Sequence, residues 1–228
     1  MAIETTYFTG TTAAANYAEV SAWLTANAAE YFDEITGTEN VITCKIGGVN
    51  ALTLNFTGAS GTDCFVITTK NGKTYGGGSA SQFGNYALRF GYKTDHGIMI
   101  CNNKADKYQL SIIISKSNDG NIFFAVTTTV GNNSTNPDNF IRILDFEKSL
   151  DRTGAYNSTG ESDPQKRHNI QGAIPAAMTA LVPTVSDAGT YCDNVLFTPF
   201  TQYGNMCWGT IDVSGTKYVY NGVFALKE

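Results

Sequence analysis

The chain has 228 residues, enough for one large β-rich domain or two small ones with a buried core. Charged residues are only 15% against 42% hydrophobic, so Thr, Asn, Ser and Gly must supply the polar surface, which argues against a coiled coil and a charged disordered tail. A net charge of −5 argues against a nucleic-acid binder, and no apolar run approaches the roughly 20 residues that a membrane-spanning helix needs.

The start, Met1-Ala2-Ile3-Glu4-Thr5-Thr6, has neither a basic nor an apolar segment of the secretory type, which predicts synthesis in a reducing cytoplasm. Residues 12–35 then read as a helix. Val20, Trp23, Leu24, Ala28, Tyr31, Phe32 and Ile35 recur at spacings of three and four, with Thr11 or Thr12 as N-cap and Gly37 as stop. Asp33 and Glu34 would lie at the helix end where its dipole disfavours them. Before Lys45 the chain carries Glu4, Glu19, Glu30, Asp33, Glu34 and Glu39 and no basic residue, which makes either a solvated acidic face or a docking surface for a basic neighbour.

From residue 40 the apolar period changes from 3.6 to 2. Leu52, Leu54 and Phe56 alternate with Ala51, Thr53 and Asn55, and Cys64 to Thr69 form a strand that ends at the turn Asn71-Gly72. Tyr86, Leu88, Phe90 and Tyr92 share one face of the next strand, and Gly97 to Cys101 make another. At 107–129 the pattern is a hairpin: Tyr108, Leu110, Ile112 and Ile114 on one face, a turn at Ser117–Gly120, and a return through Asn121 to Val126. The C-terminus repeats this style, with turns at Ser214-Gly215 and Asn221-Gly222 between Trp208–Val213, Lys217–Tyr220 and Val223–Leu226.

Two stretches break the pattern, a glycine-rich loop at 76–84 and a polar, irregular run at 145–190. The expected fold is therefore mainly β: antiparallel sheets forming a sandwich or barrel, with one N-terminal amphipathic helix. It is read as a single domain over 1–228, with the helix at 12–35, a β body at 40–144 and 191–228, and an irregular insertion at 145–190.

Motifs for chemistry are sparse. Gly72-Lys73-Thr74 has the tail of a phosphate-binding loop, but Ile67 stands where its first Gly is required. Neither Ser60 nor Ser79 completes G-x-S-x-G. The five cysteines, Cys44, Cys64, Cys101, Cys192 and Cys207, are widely spaced and form no C-x-x-C pair; they read as small buried hydrophobes, with only His96 and His168 to complete a zinc site. Asp95-His96 are chain neighbours, poorly placed for an orienter–base contact. Asp145 and Glu147 on one strand face would stand about 7 Å apart, within the range of an inverting glycosidase pair. Asn132–Asp138 is dense in oxygen ligands but has one carboxylate, which suits a turn better than Ca²⁺. Tyr75, Tyr156 and Tyr203 are candidates for stacking on sugars.

The segment Asn194 to Phe200, followed by Gly209 to Gly222, resembles the ending of many small virion proteins of tailed bacteriophages and prophages, and the hairpin Ile112 to Val126 is similar to segments in them. The likeness covers about a third of the chain and marks no catalytic residue. It implies a non-enzymatic structural component of the phage particle, in the tail, baseplate, collar or head surface, made in the host cytoplasm and located in the virion. No cofactor or metal is expected. The expected partners are copies of the same chain in a symmetric homo-oligomer and neighbouring virion proteins, with host-surface glycan as a further candidate and neither nucleic acid nor membrane. The alternatives are a glycan- or receptor-binding module of a tail and a cell-wall hydrolase. Candidate contact residues are Tyr17, Val20, Trp23 and Leu24 on the helix and Tyr156, Ile174 and Met178 in the insertion; for the helix, packing across its own sheet is the competing reading.

Overall fold

The computed structural model describes residues 3–82, 86–102, 108–130, 140–148, 182–186, 189–197, 209–221 and 224–228. A short strand, β1 (Glu4–Tyr7), precedes the helix α1 (Ala13–Asn27). A meander follows, β2 (Glu34–Thr38), β3 (Val41–Ile46), β4 (Val49–Asn55), β5 (Asp63–Thr68) and β6 (Thr74–Ser79). A second comprises β7 (Leu88–Lys93), β8 (Gly97–Asn102), β9 (Tyr108–Lys116), β10 (Ile122–Val130) and β11 (Phe140–Asp145). The last strands are β12 (Val182–Val185), β13 (Tyr191–Phe197), β14 (Gly209–Val213), β15 (Thr216–Tyr220) and β16 (Phe224–Lys227).

These strands form three antiparallel sheets: a six-stranded one in the order β1-β7-β8-β9-β10-β11, and two five-stranded ones, β2-β3-β4-β5-β6 and β12-β13-β16-β15-β14. The expectation of antiparallel, β-dominated structure with an N-terminal helix holds. The layering goes further than a two-sheet sandwich. Alternate residues of the six-stranded sheet enter different cores: Ile98, Ile100, Ile112, Ile114, Phe124 and Val126 join the β2–β6 sheet and α1, while Met99, Cys101, Ile113, Phe123 and Ala125 join the β12–β16 sheet. The central strands of the middle sheet, β8, β9 and β10, are thus covered on both faces. They accordingly read as continuous apolar runs, Gly-Ile-Met-Ile-Cys and Ile-Ile-Ile, without a polar face.

The helix is shorter than its apolar stripe implied. Thr12 Oγ1 caps Ala15 N, and the helix ends at Asn27 with Ala28 as C-cap, its N–H bonded to Leu24 O. Ala28, Tyr31 and Phe32 still bury, but from a turn that leads into β2. Asp33 and Glu34 therefore never meet the helix dipole, and Gly37 is a strand residue opposite Ile42.

Strand β7 corrects a second expectation. A β-bulge between Leu88 and Phe90 inserts one residue, so Tyr86 and Leu88 enter the first core while Phe90 and Tyr92 turn to the second. The buried Asn16 secures this site: its amide donates to Leu88 O at 2.7 Å and accepts from Leu88 N at 3.1 Å. Two residues beyond the bulge, Gly91 admits the helix. A Cβ there would stand 2.6 Å from the Trp23 ring and 3.0 Å from Phe8. The 117–120 turn forms as expected, closed by Gly120 at φ 83° with Ser117 N bonded to Asn121 O. Within the stretch read as irregular, residues 182–185 form β12 and Asp145 ends β11; residues 149–181 lie outside the described residues.

Candidate interaction surface

The helix residues proposed for contacts face inward. Val20, Trp23 and Leu24 are buried in the first core, with Trp23 edge-on to Phe8 at 5.9 Å. Tyr17 is half-buried against Phe56 at 6.2 Å. An amphipathic stripe has the same pattern whether it meets a partner or its own sheet, and here its own sheet takes it. Tyr156, Ile174 and Met178 lie outside the described residues, as do Tyr203, His168, Cys207 and the 132–138 loop.

The acidic residues of the first 45 positions are largely engaged within the fold. Glu19 accepts from Thr9 N at 2.7 Å and Gly10 N at 2.9 Å, holding the loop between β1 and α1, while Arg89 donates to Gly10 O. Asp33 accepts from Gly47 N, and Glu34 pairs with Lys45 at 3.0 Å. The bonds from Gly10 and Thr9 hold the Glu19 carboxyl below its ordinary value of 4.5. A depressed pKa stabilises above the unfolded value and is lost as pH falls through the folded one. Glu19→Gln is therefore expected to lower stability at pH 7 by under about 1 kcal/mol, since the group is half-exposed. The gap to wild type should close as denaturation is repeated below pH 4.5.

Among the described residues, the two carboxylates that suggested chemistry are committed elsewhere. Asp145 is fully buried and accepts from Asn121 Nδ2 at 3.0 Å, Glu147 N at 2.9 Å and Lys148 N at 3.2 Å. Glu147 is exposed and paired with Lys70 at 2.5 Å. The two carboxylates do not share a strand face, because β11 ends at Asp145 and the chain turns. Asp95 and His96 sit in the β7–β8 turn, where partial burial and then the Lys227 charge hold the imidazole below its usual range. Tyr75 is buried beneath the Arg142 guanidinium at 5.3 Å rather than presented to a sugar.

Cys44, Cys64, Cys101 and Cys192 are free and buried. Burial pushes the Cys44 and Cys64 thiols up to about 12 and Cys101 well above its usual value. All four are expected to resist alkylation in the native protein at pH 8 and to label fully in denaturant, as peptide mass mapping would read.

The most exposed large hydrophobic side chain among the described residues lies at an edge of the middle sheet. Tyr7, 68% exposed, stands on β1 opposite Phe90, with its ring edge-on at 5.3 Å. Phe90 stacks on Tyr92 at 6.1 Å, and burial pushes the Tyr92 phenol up to about 12. The three rings lie where the second core runs out. Every residue of β1 is exposed, and its one strand partner among the described residues is β7. Sequence periodicity assigns no element here. The available signal was the alternation of Ile3, Thr5 and Tyr7 with Glu4 and Thr6, too short to stand out beside the helix that follows. Tyr191, 56% exposed, begins β13 beside the 117–120 turn, where its carbonyl accepts from Asn118 N.

Against this surface, the cavity lined by Leu54, Phe56, Cys64, Tyr86, Leu88 and Leu110 offers about 10 Å³, room for one water at most. Comparison with family models, curated proteins and solved structures finds no match.

Proposed function

We propose that the chain is a non-enzymatic structural subunit of a tailed-bacteriophage particle that works through contacts with copies of itself and neighbouring particle proteins. The observation that carries this reading is where the side chains are spent. Among the described residues, Asp145, Glu147 and the four thiols are engaged in turns, pairs and cores, whereas Tyr7 is exposed on a sheet edge. The segments that resemble virion proteins support it in kind. Within Asn194–Phe200 and Gly209–Gly222, Val195, Leu196 and Val219 are buried, so the shared pattern is a way of building a sheet. A body of three sheets suits a part whose task is to hold a shape under contact.

The test is quantitative mass spectrometry of particles purified from the cells that encode the chain. A fixed copy number per particle is expected, and its absence from particles overturns the reading. The exposed Tyr7 favours a glycan-binding module as the second reading. The packing beneath it weighs against that: Phe90 and Tyr92 stack on one another and are half-buried or buried, so a sugar would meet Tyr7 as a single exposed ring. A glycan array with wild type and Tyr7→Ala separates the two.

A further inference from the structure

We propose that β1 is a dimerisation strand: two copies join edge to edge by antiparallel pairing of Ile3–Tyr7 about a two-fold axis at Thr5, making one continuous sheet of their two middle sheets. This rests on the reading above only in taking a second copy as partner, and it names the element that makes the contact.

The backbone supplies the first argument. Phe8 N donates to Arg89 O, and the β1–β7 register runs without a break from Glu4–Lys93 to Tyr7–Phe90. In an antiparallel ladder the residues that bond one neighbour alternate with those that point away. Glu4, Thr6 and Phe8 thus face β7, and the N–H and C=O groups of Ile3, Thr5 and Tyr7 point outward. Apart from its shortness and the charge of Glu4, the strand carries little protection of its own: it has no Pro, no bulge and no Lys.

Symmetry then selects the register. A two-fold axis normal to the sheet sets residues of like parity opposite each other. Centred on Thr5, the pairing sets each outward-facing residue against another: Thr5 against its own copy, and Ile3 against Tyr7. The exposed tyrosine ring gains an aliphatic neighbour that already packs against the second core. On the other face Glu4 meets Thr6, whose hydroxyl can donate to the carboxylate, and Lys93 flanks Glu4 from β7, so no like charges stand directly opposite. Centring on Thr6 would instead set Glu4 against Phe8.

Sedimentation equilibrium of the purified full chain, up to roughly 100 µM, tests this. A dimer is expected. Thr5→Pro removes an outward N–H and leaves the β1–β7 bonds in place, and Tyr7→Lys adds an edge charge; each should weaken the dimer at least about tenfold. Far-UV circular dichroism of the dilute variants should match dilute wild type, with a small drop in melting temperature for Tyr7→Lys, which loses the contact with Phe90. A wild type that stays monomeric, or a dimer that survives both changes, overturns the proposal. Neither result bears on whether the chain is found in particles, so the two readings fail separately.

Discussion

Phe123→Ala and Phe124→Ala are each expected to lower folding stability by about 3–5 kcal/mol, although they are chain neighbours. Both are fully buried, Phe123 in the core shared with β13, β15 and β16, and Phe124 in the core shared with α1 and the β2–β6 sheet, where it meets Phe32 at 6.4 Å. In a two-layer sandwich one of two adjacent strand residues faces solvent, and its loss costs a fraction of the other's. Here both deletions leave cavities in packed surroundings. The side chains enter different cores on opposite faces of the sheet, so the double variant should be additive within about 0.5 kcal/mol. Urea denaturation of the single and double variants reads this directly. A cost below about 1 kcal/mol at either position would mean that one face of β10 is uncovered.

That doubly covered sheet bears on what can be read from a sequence. The strands themselves were legible because local rules decide them: alternation in β4, the turn at Gly120, and the Ser214-Gly215 turn between β14 and β15. The third layer was written in the runs Ile98–Cys101, Ile112–Ile114 and Phe123–Val126, whose missing polar face means cover on both sides. The end of α1 was less legible. Ala28, Tyr31 and Phe32 keep the helical spacing of buried residues after the helix has stopped, because the turn packs on the same core. The β7 bulge was out of reach, since its backbone is secured by Asn16, 72 residues away. The same ambiguity governs the candidate surface. Periodicity identifies an apolar stripe but not its partner, so Val20, Trp23 and Leu24 suggested an interface while Tyr7, on a four-residue strand, did not.

Asp145 and Glu147 give the second large effect, through their difference. Asp145 lies at the junction where the sheets are tied: Asn121, bonded to its carboxylate, closes the β9–β10 turn, and the next residue, Phe146, donates to Ile122 O and accepts from Lys70 N in the turn between β5 and β6. Removing a buried carboxylate leaves its donors unsatisfied, and hydrogen bonds to a charged group contribute about 1.5–3 kcal/mol each before water replaces any of them. Asp145→Ala is therefore expected to cost about 3 kcal/mol, and Asp145→Asn less, because the amide keeps one acceptor for the turn. Glu147→Ala removes an exposed pair with Lys70 and should cost no more than about 0.5 kcal/mol. A glycosidase pair predicts the opposite symmetry, with both positions abolishing turnover of a wall glycan and neither required for folding. Thermal denaturation of the three variants, with a hydrolysis assay on each, decides between them. Equal loss of a measurable activity in Asp145→Asn and Glu147→Ala, at unchanged stability, would place chemistry where the geometry places a structural knot.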